Sequence, residues 1–347
     1  MGGGNRAGNG GAAIGPLERA QVPALLVAWN EAFGAGRADF IPRTVADWEA
    51  RFAGGPLPIR SMLARDGNRI LCQYAADPQR ARLHGAEVTF AQVLDTFVAP
   101  ELRGGLAGAR LLVRTARAFF DRYGAGQGAQ GGDGGDVLYY GWPVPAARRL
   151  GVAQLDYTLT DRLLLLGREV AGVPDPPAGA GSARWGAAEC VDLVTDELFE
   201  ACATAWEACL VRDSSWFRRR FLKRIGADYR VLGVGEPRAP QALAVLRHGD
   251  WPLANTVAIV DWLVPEGESE AGELLLGEAH SLARELGADA LVTLFPPWSP
   301  WFERFQGAGY RVHATDLFLV TRPFLRRLEP LWLRDNLWLQ LSDTDLL

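Results

Sequence analysis

Two stretches of the chain repeat one pattern of apolar and polar positions. In the first, Val93-Leu94-Asp95-Thr96-Phe97-Val98-Ala99-Pro100 reads as a β-strand stopped by proline, and Leu112, Ala116, Phe119 and Tyr123 then fall on one face of a helix. In the second, Ala258-Ile259-Val260-Asp261-Trp262-Leu263-Val264-Pro265 is again a proline-stopped strand, and Leu275, Ala279, Leu282 and Leu286 again mark a helix. Each helix leads to a strand with an aromatic-proline exit, over 137–143 and 290–298, followed by a short helix and a closing strand that includes 157–166 in one copy and 310–320 in the other. The order β-α-β-α-β thus occurs twice, with Asp95 and Asp261 at equivalent strand positions, and four elements in register favour duplication over coincidence.

Three stretches interrupt this pattern. Residues 1–15 form a glycine-rich tail expected to be disordered. Residues 124–136, GAGQGAQGGDGGD, lack the Lys-Ser/Thr ending of a P-loop and the spacing of a dinucleotide fingerprint, and read as a flexible surface insertion. Residues 167–186 carry Pro174, Pro176, Pro177 and a run of small residues, the composition of an interdomain linker. The expected organisation is a first domain over 16–166, a second over 187–322, and a C-terminal extension over 323–347 that docks on the protein. The fold class expected is α/β (α+β), two tandem domains, each a mixed central sheet flanked by helices.

A length of 347 residues suits two domains, and 48% hydrophobic residues suffice for a sizeable core. Lysine and arginine number 36 against 41 acidic residues, a net charge of −5, which argues against nucleic acid as partner. The four cysteines (Cys72, Cys190, Cys202, Cys209) contain no Cys-x-x-Cys pair, which fits a reducing cytoplasm. The four histidines lack zinc-ligand spacing, so no metal is expected. No signal peptide, myristoylation signal or apolar run of membrane-spanning length is present, so no membrane association is expected.

The segment that carries chemistry joins the first strand to its helix: Val98-Ala99-Pro100-Glu101-Leu102-Arg103-Gly104-Gly105-Leu106-Ala107-Gly108. Glycines at a helix start let backbone approach a ligand, and the unpaired N–H groups there favour an anion such as a diphosphate. This segment resembles motif A of the GCN5-related N-acetyltransferase (GNAT) superfamily, and the stretch from Gly141-Trp142-Pro143 to Leu155-Asp156-Tyr157 looks like that family's next strand and helix. The resemblance implies two tandem GNAT-like domains and acetyl-CoA, or another acyl-CoA, as co-substrate. It implies pantetheine at Phe97 and Val98, and pyrophosphate at Arg103, Gly104, Gly105, Ala107 and Gly108. Leu106 stands where the family prefers glycine, Val144 where it often has asparagine, and Asp156 where it has glycine. The second copy places Glu266, Glu268, Glu270 and Glu273 where a pyrophosphate would sit, so that half is expected to keep the fold without the cofactor.

Transfer of an acetyl group to an amine needs a base, donors for the oxyanion and an acid for the thiolate. Asp95 is the candidate base, with a structural role as the competing reading because Asp261 repeats it. Tyr140 is the candidate acid. Strand alternation turns Tyr139 to the opposite face, and core packing is the alternative for both, as for Tyr157. His84 reads as a surface residue and Cys72 as an inert thiol. Trp298, Trp301, Trp332 and Trp338 read as core or interface. The function implied is acyl-CoA-dependent N-acyl transfer, by direct attack, to a small-molecule or peptide amine, and a homodimer is compatible with it. The alternatives are a non-catalytic acyl-CoA-binding or structural protein, and an aminoacyl or peptidoglycan-precursor transferase of tandem GNAT fold.

Overall fold

The computed structural model describes residues 12–38, 40–52, 55, 57–126, 134–171, 182–185, 195–222, 228–237 and 239–346. The first half opens with β1 (Ala13–Pro16), α1 (Val22–Gly34) and α2 (Val45–Phe52). An antiparallel meander follows, β2 (Arg60–Asp66), β3 (Arg69–Leu83) and β4 (Ala86–Val98), with β1 on its outer edge. The strand expected from Val93 is the last part of β4, which begins seven residues earlier. It leads to α3 (Leu106–Tyr123), β5 (Leu138–Gly141), α4 (Pro145–Gln154) and β6 (Thr158–Glu169).

Alternation gives the meander two different faces. Met62, Tyr74 and Tyr139 pack with Phe119 and Phe120 beneath α3, whereas Leu63 and Phe97 pack with Leu25 and Ala32 of α1 on the opposite face. Tyr139 donates to Asp136 and the Tyr157 hydroxyl meets that of Tyr74 at 2.6 Å, so both have satisfied hydroxyls in the α3 core. Residues 127–133 of the glycine-rich stretch lie outside the described residues; its ends meet, with Ala125 donating to the carbonyl of Asp136 and Asp136 to that of Tyr123.

The second half contains β7 (Ser182–Trp185), α5 (Thr195–Ala203), β8 (Ala208–Leu210), α6 (Ser214–Phe217), β9 (Tyr229–Glu236), β10 (Ala239–Gly249) and β11 (Thr256–Leu263). Then come α7 (Ser269–Glu285), β12 (Ala290–Thr293), α8 (Pro300–Gly307) and β13 (Arg311–Pro323). The run from β9 to β13 thus repeats the run from β2 to β6. Of the span expected as linker, 167–169 closes β6 and Ser182–Trp185 pairs with β9; residues 172–181 and 186 lie outside the described residues, as do residues 1–11 of the tail and Cys190.

Both halves share one mixed sheet, in the order β1-β2-β3-β4-β5-β13-β6-β12-β11-β10-β9-β7. The two closing strands are exchanged. β13 lies antiparallel beside β5 of the first half, and β6 lies antiparallel beside β12 of the second. The exchanged strands also pair with each other, and the buried hydroxyls of Thr160 and Thr321 meet at 2.6 Å across that central ladder.

The C-terminal residues form α9 (Pro330–Asn336) and β14 (Leu337–Trp338), which pairs with β8, and then run over the second half. Trp338 stacks on Trp206 at 4.3 Å, and Trp301 packs edge-on against Trp262, so these indoles belong to the core. Beneath them Arg212 is fully buried. Its Nε donates to Asp261 at 3.0 Å, its Nη2 to Asp343 at 2.6 Å and its Nη1 to the carbonyl of Leu210 at 3.0 Å. One cation thereby ties β8, β11 and the C-terminal segment together. Burial still pushes the Asp343 carboxyl up to about 6, against the opposing pull of Arg212.

Replacing Arg212 by methionine would leave two buried carboxylates without their cation, and about 3–5 kcal/mol of stability should be lost. Urea denaturation at neutral pH measures this; a loss below about 1 kcal/mol, the range of an exposed pair, would show that water reaches the site.

Candidate functional site

The site is built where β4 parts from β5. The two strands run parallel and pair only at Phe90 with Leu138, Ala91 with Tyr139 and Gln92 with Tyr140. β4 continues to Val98, held on its other side by β3. Over Val93–Val98 no backbone group among the described residues pairs with it on the β5 side. The fork therefore exposes main-chain groups inside a sheet, where they need partners.

A bulge shapes this open edge. Asp95 and Thr96 together oppose Tyr74, and Asp95 adopts a left-handed backbone with φ of 51°. Its carboxylate accepts from Arg43 Nη1 at 2.6 Å and Nη2 at 3.4 Å, while the guanidinium lies 3.9 Å from the Trp29 ring centroid. Asp95 thus fastens the segment between α1 and α2 onto the bulge. Phe97 packs under α1, and the carbonyl of Val98 accepts from Arg103 Nε at 3.0 Å.

Past Pro100 the chain turns into α3 through its glycines. Gly104 has φ of 76°, open to glycine at little cost. A Cβ on Gly108 would lie 2.1 Å from the carbonyl oxygen of Leu102, so only glycine lets the turn close. The first bond into the helix runs from Ala109 N–H to the carbonyl of Gly105 at 3.2 Å. The amides of Gly104, Gly105, Leu106, Ala107 and Gly108 have no acceptor among the described residues. Leu106 is 77% exposed and leaves the corner unplugged. Five successive N–H groups at a helix start form an anion site of the kind that binds a diphosphate. The structure brings Gly104, Gly105, Ala107 and Gly108 together here. Arg103 stands beside them, but its Nη2 donates to the carbonyl of Ala32 at 2.6 Å, so it clamps α1 to the loop.

On the face away from α3 a polar row crosses the last rung of the fork. Asp77 pairs with Gln92, and Gln92 with Tyr140, so all three share that face. Asp77 accepts from Arg219 Nη1 at 3.2 Å and 3.5 Å; burial raises its carboxyl pKa and Arg219 opposes the rise. Gln92 is 4% exposed and donates to Asp345 Oδ1 at 3.1 Å. Tyr140 is fully buried, its hydroxyl 3.4 Å from the carbonyl of Asp343, and burial raises its pKa well above that of an ordinary phenol. Trp142 packs edge-on at 5.8 Å from Tyr140, with its indole N–H buried and unpaired.

Sequence reasoning did not select Arg43, Asp77, Gln92 or Asp345. Asp77 and Gln92 left a signal, being polar residues at inward positions of long apolar strands. Asp345 left none, since it meets Gln92 across 253 residues.

The second fork is closed by the protein itself. β11 pairs with β12 only from Thr256 to Ile259, and beyond it the N–H of Trp262 donates to Gln340 Oε1 at 2.6 Å. Ser342 and Arg212 occupy Asp261. A Cβ on Gly272 would strike Trp301, which fills the corresponding helix start. Elsewhere, His84 caps the β3–β4 turn beside Glu207 and Trp332, and Cys72 is buried with its thiol pushed up to about 12. Among the described residues, no cluster of three His, Cys, Asp or Glu side chains could hold a metal ion, and no helix is long and apolar enough to cross a membrane.

A strand fork with a bulge, next to a glycine-rich helix start, is the arrangement that family comparison can test. Residues 13–125 match the family model of the acetyltransferase (GNAT) domain. That match covers about a third of the chain, the part that holds β4 and the glycine-rich turn. A likeness of fold to solved structures extends over both halves. A probable N-acyltransferase from Enterococcus faecalis, a conserved protein of unknown function, is 14% identical, with a TM-score of 0.65 over 90% of this chain and 72% of that one. A GCN5-related N-acetyltransferase from Anabaena variabilis is 12% identical, with a TM-score of 0.61 over 89% and 72%. The Saccharomyces cerevisiae N-myristoyltransferase with bound myristoyl-CoA is 11% identical, with a TM-score of 0.52 over 90% and 82%. At these identities the likeness is one of fold. No curated protein matches the sequence.

The turn into α3 gives a paired test. Gly108→Ala should cost about 1–3 kcal/mol through the clash with Leu102, whereas Gly105→Ala, whose Cβ has no neighbour closer than 4.0 Å, should cost less than about 1 kcal/mol. Thermal melts of the two variants compare them directly, and equal losses would contradict this account of the turn.

Proposed function

We propose that the protein is an acyl-CoA-dependent N-acyltransferase whose first half binds the acyl-CoA and transfers the acyl group, an acetyl in the simplest case, to an amine. The observation that carries this reading is the junction of two unsatisfied features: the open edge of β4 and the five unpaired amides at the start of α3. A diphosphate at Gly104, Gly105, Ala107 and Gly108 would leave the pantetheine arm to run along Val93–Val98, where its amides replace the missing strand. The thioester then lies at the rung of Gln92 and Tyr140, and the amine approaches from the face away from α3. Direct attack needs no covalent enzyme intermediate, and the buried thiols of Cys72, Cys202 and Cys209 offer none. Those reduced thiols also suit a cytoplasmic place of action.

The second half, in this reading, binds no acyl-CoA. Its fork is filled by Gln340 and its helix start by Trp301, and its acidic loop would repel a diphosphate. It supplies β13 to the sheet of the first half and the C-terminal segment to the acceptor side.

Acetyl-CoA at about a hundredfold excess over its Kd should stabilise the native state by about 2.7 kcal/mol, visible as a raised Tm. Gly105→Glu places a carboxylate among the amides and should abolish that rise while leaving the fold intact. Release of free thiol in the presence of amines then reports transfer. A Tm indifferent to millimolar acetyl-CoA, or a rise that survives Gly105→Glu, would refute the assignment.

A further inference from the structure

We propose that a cavity at the junction of the two halves selects the acceptor by seating a compact branched alkyl group beside the amine that is acylated. This rests on reading the first fork as the site of acyl transfer.

Position is the first argument. Trp142 lines the cavity and also packs edge-on against Tyr140 at 5.8 Å, so the space begins one side chain away from the last rung shared by β4 and β5. From there it extends over Leu319 of β13 and Leu163 of β6 to Leu294 and Pro296 at the exit of β12. Tyr140, Leu319 and Leu333 belong to one apolar cluster, whereas Tyr139 packs beneath α3, so the cavity lies on the face away from α3. The amine approaches from that face. β5 stands between the cavity and the gap along Val93–Val98, because the sheet order there is β4-β5-β13-β6-β12. A group that reaches the cavity while its nitrogen meets the thioester therefore belongs to the acceptor rather than to the acyl-CoA.

The make-up of the wall is the second argument. Both aromatic-proline exits of the repeat end here, Trp142-Pro143 from the first copy and Phe295-Pro296-Pro297 from the second. Proline cannot donate to a ladder, so neither strand continues into the space between them. α9 roofs the space with Leu333 and Leu337. The charged side chains at its edge are occupied by their own partners: Arg162 donates to the carbonyl of Thr315 and pairs with Asp316, and Arg334 pairs with Asp335. Asp161 accepts from the N–H of Arg162 at 2.8 Å, and burial raises its carboxyl pKa, as apolar surroundings require. The indole N–H of Trp142 is buried and has no acceptor among the described residues.

Size is the third argument. The cavity measures about 50 Å³. A water needs about 10–15 Å³, so the space takes about four heavy atoms, the size of an isobutyl group. Interiors close-pack, and an apolar void forfeits contacts along its lining that an apolar guest restores.

The test uses the full chain with acetyl-CoA and four amines: ethylamine, isoamylamine, phenethylamine and aminopropanol. The last matches isoamylamine in length but ends in a hydroxyl. Free thiol release should give isoamylamine a kcat/KM about tenfold or more above ethylamine and aminopropanol, since each buried methylene adds discrimination. Leu339→Trp, at a half-buried wall position, fills the cavity. It should bring isoamylamine to within about threefold of ethylamine, with ethylamine turnover and the acetyl-CoA Tm rise unchanged. Leu164→Ala enlarges the cavity and should raise phenethylamine about tenfold relative to isoamylamine; it carries the test alone if the tryptophan variant does not fold. The proposal is overturned if isoamylamine stays within about twofold of ethylamine, or if either folded variant leaves the order of amines as in the wild type. It is also overturned if Leu339→Trp instead lowers the use of isovaleryl-CoA with ethylamine, which would give the cavity to the acyl chain, or if acetyl-CoA stabilises the protein and no amine releases thiol. Absence of any acetyl-CoA effect on the wild type would remove the reading of the fork, and this proposal with it.

Discussion

A strand that loses its neighbour inside a sheet leaves main-chain donors and acceptors that must be satisfied by something. That constraint arises twice in this protein, once where β4 outruns β5 and once where β11 outruns β12. The two halves answer it differently. In the second, Gln340 offers its side-chain oxygen to Trp262, and the corner is closed by residues of the same chain. In the first, no part of the described chain fills the gap, and the adjoining helix start leaves five amides unpaired as well. The repeated arrangement thus gives one fork filled by its own chain and one that no described residue fills.

The C-terminal segment connects these two outcomes. Gln340, Ser342 and Asp343 close the second fork around Arg212, and two residues later Asp345 meets Gln92 at the first. The buried ion group therefore has a consequence beyond stability, because it sets where Asp345 lies relative to the open strand. A charge cluster that could be replaced by apolar packing at little energetic loss here also fixes a position.

Much of the fold was legible because its signals are local. Pro100 and Pro265 end their strands, the helix stripes follow at the right spacing, and the glycines after Arg103 mark a turn that must be open. The same local reading placed Tyr139 and Tyr140 on opposite faces. Contacts between distant residues were not legible. Nothing near Asp95 in sequence announces Arg43, and the position of Asp95 in a left-handed bulge is a property of pairing with β3. Arg103 is a phosphate ligand by its resemblance to motif A, and its guanidinium also serves carbonyl oxygens at Val98 and Ala32, the latter 71 residues away. The repeat and the composition of 167–186 divide the sequence into halves, whereas the exchange of β6 and β13 leaves no trace in composition.

That exchange makes the polypeptide indivisible. Severing it between the two copies would yield fragments that each carry an interior strand whose bed belongs to the other: β6 would have no β12 to lie against, and β5 would face solvent in place of β13. The repeat is thus a pair of interlocked halves, and neither inherits a complete sheet.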